Sequence, residues 1–343
     1  MSRQYEREQS EAIQAVRQAT RLCLTVRAAL QPEVLDKRDK SPVTVADFGS
    51  QAVICRALGI AFPDDPVIAE EDSEELGRSG NTAILEEVVG HVRALELDAD
   101  RNPSPAEVCG WIDRGGSSQY CDRFWTIDPI DGTKGFLRNE QYAVALALIV
   151  EGQVVVAALS CPNLPVDSAS AAASRGVIFA AVLGHGATVV PLEQGEEREP
   201  EFLPVQVSQR TDPALLRFCE SVESGHSAHG DAAAIAARLG IVTPPVRMDS
   251  QAKYGIVARG EAEIYLRMPT RADYREKIWD HAAGALIVEE AGGTVTDIMG
   301  RPLDFRHGRE LSANRGVIVT NGRSHARVLE TLHALGLGGE KLA

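Results

Sequence analysis

The apolar positions of the chain follow two periods, and the switch between them marks out the elements. From about Tyr5 to Leu30, Ile13, Val16, Ala19 or Thr20, and Cys23 recur at helical spacing with charges between them, which predicts an amphipathic opening helix interrupted at Pro32. A charged loop beginning at Asp36 passes through Ser41-Pro42 into the short β-branched run Val43-Thr44-Val45-Ala46, ending at Asp47. A helix carrying Val53, Ile54, Ala57 and Leu58 is expected next, with Asp47 at its N-cap. Val67-Ile68-Ala69 is a short apolar strand that delivers Glu70-Glu71-Asp72. The stretch 73–122 is polar, contains Gly80, Pro103, Pro105, Gly115 and Gly116, and shows one helical pattern, around Ile84 to Leu97. It is expected to be a mobile, flap-like insertion between two strands.

Beyond Phe136 the period shortens. Tyr142 to Val150 and Gln153 to Ser160 are β-rich runs joined by Glu151-Gly152, a hairpin that Cys161-Pro162-Asn163 is expected to end. Gly176 to Ala181 and Ala187 to Pro191 continue the strand pattern, and these runs are expected to form one antiparallel sheet. The charged segment from Glu193 to Pro204 is the expected subdomain boundary. After it, short strands alternate with helices. Strands are expected at Phe218 to Val222, Val246 to Met248, Glu263 to Arg267, Thr294 to Ile298 and Gly316 to Thr320. Helices are expected at Ala232 to Leu239, from an N-cap at Ser250, from Trp279 to the Gly292-Gly293 pair, and from His325 to Leu335.

Composition narrows the classes. A chain of 343 residues accommodates two subdomains sharing one site. Its net charge of −14 speaks against a nucleic-acid or anionic-membrane partner, either of which needs a basic face. The cysteines (Cys23, Cys55, Cys109, Cys121, Cys161 and Cys219) are scattered, without C-x-x-C or zinc spacing, and read as free thiols. The charged N-terminus lacks a signal-peptide core, and no apolar run is expected to reach spanning length. The expectation is a soluble, cytoplasmic protein, monomeric rather than an obligate oligomer.

The chemistry gathers at Trp125-Thr126-Ile127-Asp128-Pro129-Ile130-Asp131-Gly132-Thr133-Lys134-Gly135-Phe136. Pro129 lacks an N–H and is expected to stop strand pairing, while Gly132 and Gly135 admit backbone conformations that side chains forbid. Asp128 and Asp131 then crowd a small volume, where oxygen-rich ligands suit Mg²⁺ or Ca²⁺. Thr133 adds a hydroxyl able to hold a water. An acidic surface turn is the simpler alternative. Two further places, Ala69-Glu70 and Trp279-Asp280, share the design of an apolar element that ends in acid. That recurrence favours a metal site. Asp47, taken alone, remains a helix cap.

The central motif, with Glu70 upstream and Trp279-Asp280-His281-Ala282-Ala283-Gly284 downstream, resembles the lithium-sensitive, magnesium-dependent phosphatases of the inositol monophosphatase superfamily across essentially the whole chain. Asp131 to Phe136, Ser41-Pro42-Val43-Thr44 and Asp249-Ser250-Gln251-Ala252-Lys253-Tyr254 are similar to its 3′(2′),5′-bisphosphate nucleotidases, which convert 3′-phosphoadenosine 5′-phosphate (PAP) to AMP and phosphate. The resemblance implies an α/β fold layered α-β-α-β-α. The metals would sit between an α+β half, 1–200, and an α/β nucleotide-binding half, 201–343. It implies one Mg²⁺ on Glu70, Asp128 and the Ile130 carbonyl, a second on Asp128, Asp131 and Asp280, and room for a third near Glu70.

The same resemblance gives Asp47, Thr133 and Glu70 catalytic roles, the first two orienting and deprotonating the attacking water. His226, Ser250, Lys253 and Arg267 would recognise a small nucleotide, PAP or the sulfated PAPS, with Thr133 also touching substrate. Arg267 as a strand-face ion pair and His226 as a loop histidine are the open alternatives. Attack would be direct and in line, since no Ser, Cys or His sits in a nucleophile motif, and Li⁺ would inhibit at a Mg²⁺ position. An inositol polyphosphate 1-phosphatase is the enzymatic alternative, because one fold serves many substrates. A non-catalytic nucleotide or metal-ion sensor is the alternative of another class, against which the complete set of Asp47, Glu70, Asp128, Asp131, Asp280 and Thr133 argues. The Ala/Ser-rich Ser168 to Ser174 and the stretch 102–116 match no motif of the family.

Overall fold

The computed structural model describes residues 4–29, 41–76, 81–95, 102–168, 170, 173–193, 202–222, 229–269, 271 and 273–337. Helix α1 (Glu6–Ala29) buries Ile13, Val16, Ala19 and Cys23 at the expected spacing and packs along α2 (Ser41–Ala61). After β1 (Val67–Ala69) come α3 (Thr82–Ala94) and α4 (Pro105–Asp113), both seated on α2. The motif strand β2 (Arg123–Asp131) leads into the short α5 (Thr133–Arg138). Strands β3 (Ala143–Val150), β4 (Gln153–Pro165), β5 (Arg175–Val182), β6 (Ala187–Pro191) and β7 (Leu203–Pro204) follow. The sheet runs in the order β1-β2-β3-β4-β5-β6-β7, antiparallel except for the β1–β2 pair.

The second half alternates as its sequence suggests: β8 (Phe218–Glu220), α6 (His229–Leu239), β9 (Val246–Arg247), α7 (Ala252–Ala258), β10 (Ile264–Arg267), α8 (Ala282–Glu290), β11 (Thr294–Thr296), β12 (Val317–Thr320) and α9 (His325–Ala334). Its sheet has the order β11-β12-β10-β8-β9.

Strand alternation assembles the layers. One face of the larger sheet sends Trp125, Ile127, Leu146, Leu148 and Ile178 under α1 and α2, and the other sends Phe124, Ala145, Ala147, Leu159 and Phe179 against α7 and α8. In the smaller sheet Cys219, Tyr265, Val317 and Val319 face that same middle layer, while Phe218, Ile264, Leu266 and Ile318 pack beneath α6 and α9. The result is α-β-α-β-α, as expected. Each large apolar side chain so buried is worth about 1.5–3 kcal/mol. The middle helices touch apolar surface all round, which is why α8 is almost entirely apolar and small: Ala282-Ala283-Gly284-Ala285.

Several local expectations are corrected. The run Val43 to Asp47 is helical, because Val43, Val45, Ala46 and Phe48 are buried in the core beneath α2, and that packing outweighs β-branched propensity. Val43–Ala61 is in fact 19 residues long and apolar enough to match a membrane span, but 72% of it is buried within the protein, so its apolarity serves the core. The stretch 73–122 holds a second helix, α4, marked by a capping box between Ser104 and Glu107 that the sequence reading passed over. Helices α3 and α4 bury Val88, Val89, Val92, Val108 and Ile112 in the α2 core, so this part forms a wall and not a flap. Strand β2 continues through Pro129, and β4 runs past Pro162 to Pro165. The loop from Asp36 to Lys40, residues 194–201 of the expected boundary, and part of Ser168 to Ser174 lie outside the described residues.

Candidate active site

The strand register explains how the acids meet. Ala69 on β1 lies beside Ile127 on β2, so Glu70, the first residue past β1, follows beside Asp128 on β2. Asp128 pairs with Ala145, but Asp131 pairs with Ala143, so three steps on β2 match two on β3. That bulge sets Asp128 and Asp131 on the same face, whereas a regular strand would point residues three apart to opposite faces. Pro129 sits inside the bulge, where its missing N–H costs no ladder bond. Its carbonyl accepts from the Ser50 hydroxyl at 2.9 Å. Asp47, Ser50 and Gln51 share one face of α2 by their spacing. Gln51 pairs with the Glu71 backbone in both directions, at 2.9 and 2.8 Å, and so fixes the exit of β1.

The second half closes the site through Gln251. Its backbone N–H donates to Asp131 at 2.6 Å, its side-chain amide donates to the Trp279 carbonyl at 2.9 Å, and its side-chain oxygen accepts from the Gly284 N–H at 3.3 Å. Asp280 is thereby carried to the cluster from the turn before α8. Arg309 adds a link, donating to the Glu70 carbonyl at 3.3 Å with its guanidinium 4.6 Å from the Trp279 ring centre. Gly132 has φ of 85° and lies so close to Ser250 that an added Cβ would stand 2.9 Å from the serine Cβ. Gly135 serves approach and not conformation, which corrects the expectation: it is helical, and a side chain there would collide with the Gln141 carbonyl. Gly135→Ala is therefore expected to destabilise the fold by about 3 kcal/mol and lower Tm by at least about 5 °C, read by thermal denaturation. An unchanged Tm would disprove that close packing.

The cleft encloses about 260 Å³ and is lined on one side by Glu70, Asp128, Asp131 and Asp280. Burial, then Glu70, Asp131, Asp280 and Asp47, raise the Asp128 carboxyl well above its ordinary range. Burial, then Glu71 and Glu70, do the same to Asp47. Desolvation and neighbouring acids push Glu70 and Asp280 up to about 7, although Glu70 opens onto solvent in the cleft. Asp128 Oδ1 is buried without a hydrogen-bond partner. A buried carboxylate oxygen with no donor, among acids that repel one another, fits a hard cation held by oxygens.

Glu276, Asp280 and His281 also bring ligand atoms within 4.8 Å of one another. That trio is mostly a hydrogen-bond network. His281 Nδ1 meets the Tyr254 hydroxyl at 2.7 Å and Nε2 meets Glu276 at 3.2 Å, while Glu276 pairs with Arg267 at 3.2 Å. Since a carboxylate only accepts, Nε2 carries a proton, and in the neutral imidazole Nδ1 accepts from the Tyr254 hydroxyl. Asp280 is left as the member turned to the acid cluster.

A pH dependence follows. Glu70 and Asp280 hold protons in the folded, metal-free protein up to about pH 7, and the unfolded chain releases them near the ordinary carboxylate range. The folded state therefore binds more protons in between, so metal-free stability falls as pH rises from about 4 to about 7. Mg²⁺ is expected to raise Tm more at pH 8 than at pH 5. An equal shift at both values would contradict the cation fit.

The opposite wall bears the sequence-predicted recognition residues. Ser250, Lys253 and Arg267 all line the cleft. Ser250 adopts φ of 68° and lies one residue before Gln251, which takes the N-cap position expected for Ser250, with its hydroxyl accepting from the Ala252 N–H at 3.2 Å. Lys253 is buried, its Nζ 5.3 Å from the Tyr265 ring centre, and burial lowers its pKa. Arg267 combines both readings, a strand-face ion pair with Glu276 that also reaches the cleft. Burial opposes its charge, but Glu276, Tyr265 and Asp280 hold it firmly protonated. Thr133 opens α5 at the cleft margin. His226 lies outside the described residues. Missed were Tyr274 at the mouth, Gln251, Glu276 and His281. His281 and Gln251 had a signal, their places directly after Asp280 and Ser250.

A five-layer α/β chain with acids gathered at the ends of neighbouring strands has the build of a phosphatase of the inositol monophosphatase type. The chain belongs to the inositol monophosphatase family, whose model matches residues 5–337. It is 47% identical over 336 residues to a 3′(2′),5′-bisphosphate nucleotidase of Emericella nidulans, covering 92% of this chain and 94% of that one. To a 3′(2′),5′-bisphosphate nucleotidase of Schizosaccharomyces pombe it is 44% identical over 343 residues, covering 96% of each. Among solved structures, an Anabaena inositol monophosphatase superposes with a TM-score of 0.60 at 19% identity, over 97% of both chains.

Proposed function

We propose that the chain is a 3′(2′),5′-bisphosphate nucleotidase that hydrolyses PAP to AMP and phosphate, and acts on PAPS as well. One observation carries the reading: a single cleft sets an acid cluster with an unsatisfied Asp128 oxygen against Ser250, Lys253 and Arg267, in a chain 47% identical to such a nucleotidase. Glu70, Asp128, the Ile130 carbonyl, Asp131 and Asp280 would hold Mg²⁺. Bound there, Mg²⁺ supplies positive charge against the phosphate and acidifies water. Asp47 takes the proton of the attacking water, and the Thr133 hydroxyl orients that water toward phosphorus. The water oxygen forms the new P–O bond as the ribose oxygen leaves, so PAP and water give AMP and inorganic phosphate.

The remaining residues bind. Ser250, with the N–H groups at the start of α7, and the charges of Lys253 and Arg267 receive the nucleotide phosphate that is not cleaved. His226 completes recognition. The residues of 1–200 supply Glu70, Asp128 and Asp131, and those of 201–343 supply Asp280 and the nucleotide wall, so one chain contains the whole site and a monomer suffices.

Phosphate release from PAP, PAPS and inositol 1,4-bisphosphate, each with and without Mg²⁺, tests the reading. Mg²⁺-dependent release, faster from PAP than from the inositol bisphosphate, is expected. Faster release from the inositol substrate would replace the nucleotidase with an inositol-phosphate phosphatase, and binding of PAP without release would leave a sensor.

A further inference from the structure

Helix α5 spans six residues, Thr133–Arg138, too few to hold a helical geometry unaided. Its first turn faces the cleft with Thr133 and Lys134. No side chain caps its N-terminus, where Gly132 stands in the left-handed region. Close packing of Gly132 on Ser250 and of Gly135 on Gln141, with the Arg138–Asp249 ion pair, holds it from the cleft side, and a further restraint lies at the far end. Arg27, in the last turn of α1, donates through Nη1 to the carbonyl of Phe136 and, at 3.2 Å, to that of Leu137. Its Nε donates to the Asn139 side chain at 2.9 Å, and its guanidinium lies 5.8 Å from the Phe136 ring centre. Phe136 in turn meets Tyr142 edge-on at 5.1 Å.

These contacts do several things together. They give the Leu137 carbonyl a donor, add one to the Phe136 carbonyl that the Asn139 N–H also reaches, and place a cation at the negative end of the helix dipole. They also tie α5 to a rigid strut. Helix α1 is fixed to the large sheet by the Thr20 hydroxyl, 2.8 Å from that of Ser160, and by the buried Cys23 and Val26. The C-terminal end of α5 is thereby anchored to α1, at the opposite end from the Thr133 hydroxyl.

We infer that Arg27 is a positioning residue for hydrolysis, acting through α5 on Thr133. This rests on the hydrolytic part of the proposed function, and not on which substrate is cleaved. A double-mutant cycle tests it: Arg27→Met and Arg27→Lys, each made in the wild type and in Thr133→Val, assayed at saturating Mg²⁺ well below Tm. In the wild-type background, Arg27→Met is expected to lower kcat about 30-fold with KM within about threefold, since a displacement near 1 Å costs up to ~10²-fold. Arg27→Lys, which still donates to carbonyls, recovers most of that loss. In Thr133→Val the Arg27→Met change costs less than about threefold, because the group it positions is already gone.

An equal loss in both backgrounds would overturn the inference, as would a kcat that Arg27→Lys fails to restore. Should Arg27→Met not fold, Arg27→Gln takes its place in the same cycle. The cycle runs on any phosphomonoester that the wild type hydrolyses, so its outcome is separate from that of the nucleotidase assay.

Discussion

Asp128→Asn is expected to slow phosphate release by at least about 10³-fold, the loss of several kcal/mol of transition-state stabilisation, and to leave the metal-free protein more stable than the wild type. Both effects come from one side chain. Asp128 is 2% exposed, its Oδ1 has no donor, and burial and four neighbouring acids all disfavour its charge. In the absence of a cation that charge opposes folding; a bound cation would take it as a ligand. The asparagine removes the repulsion but brings an amide whose hydrogens need partners, so the net gain is limited to about 1 kcal/mol, or ~2 °C in Tm at pH 8. Adding Mg²⁺ should then shift Tm less than in the wild type. Activity within tenfold of the wild type would remove Asp128 from the site. A metal-free variant less stable than the wild type would mean that the carboxylate is held by contacts of its own, and the cluster would not be a stability cost retained for function.

The strand and helix order and the acids at strand ends are legible in the sequence because both depend on local signals, whereas the five-layer build is what the family resemblance implies. Alternation over Phe124 to Ile127 divides those residues between two cores, and an acid directly after Ala69 or Trp279 is visible in a short window. What it could not carry depends on distance in space. The bulge that turns Asp128 and Asp131 to one face is a relation between β2 and β3, and Pro129 read alone suggested an end and not an extra residue. The β-branched run Val43 to Asp47 reads as a lead-in that ends where a helix begins, while the helix these residues themselves form is imposed by packing in the core. Helix α4 did have a local mark, Ser104 with Glu107, obscured by the prolines around it. Glu276 had none. It sits in the charged run Arg275-Glu276-Lys277 and gains its place only where β10 brings Arg267, and α7 brings Tyr254 to His281.

Asp47 shows the same division most sharply, since its position after a β-branched run suggested a cap, and the fold puts it inside α2 on the face it shares with Ser50. There it is 6% exposed, and burial, Glu71 and Glu70 raise its carboxyl. Those causes bear on its proposed role as base. Burial raises the Asp47 carboxyl most, and a cation bound at Glu70 would cancel part of the added repulsion from Glu71 and Glu70, so metal binding and activation of the base are linked through Coulomb interaction. Asp47→Asn keeps the shape and removes the proton acceptor. Turnover is expected to fall by about 10²–10⁴-fold, the usual contribution of a positioned base. PAP affinity should stay within about threefold and Tm should hold or rise, because the lost charge was already disfavoured by burial. Equilibrium binding of PAP measured beside single-turnover phosphate release separates the outcomes. Unimpaired turnover would exclude Asp47 as the base, and a variant that no longer binds PAP or Mg²⁺ would make it a structural support of the acid cluster.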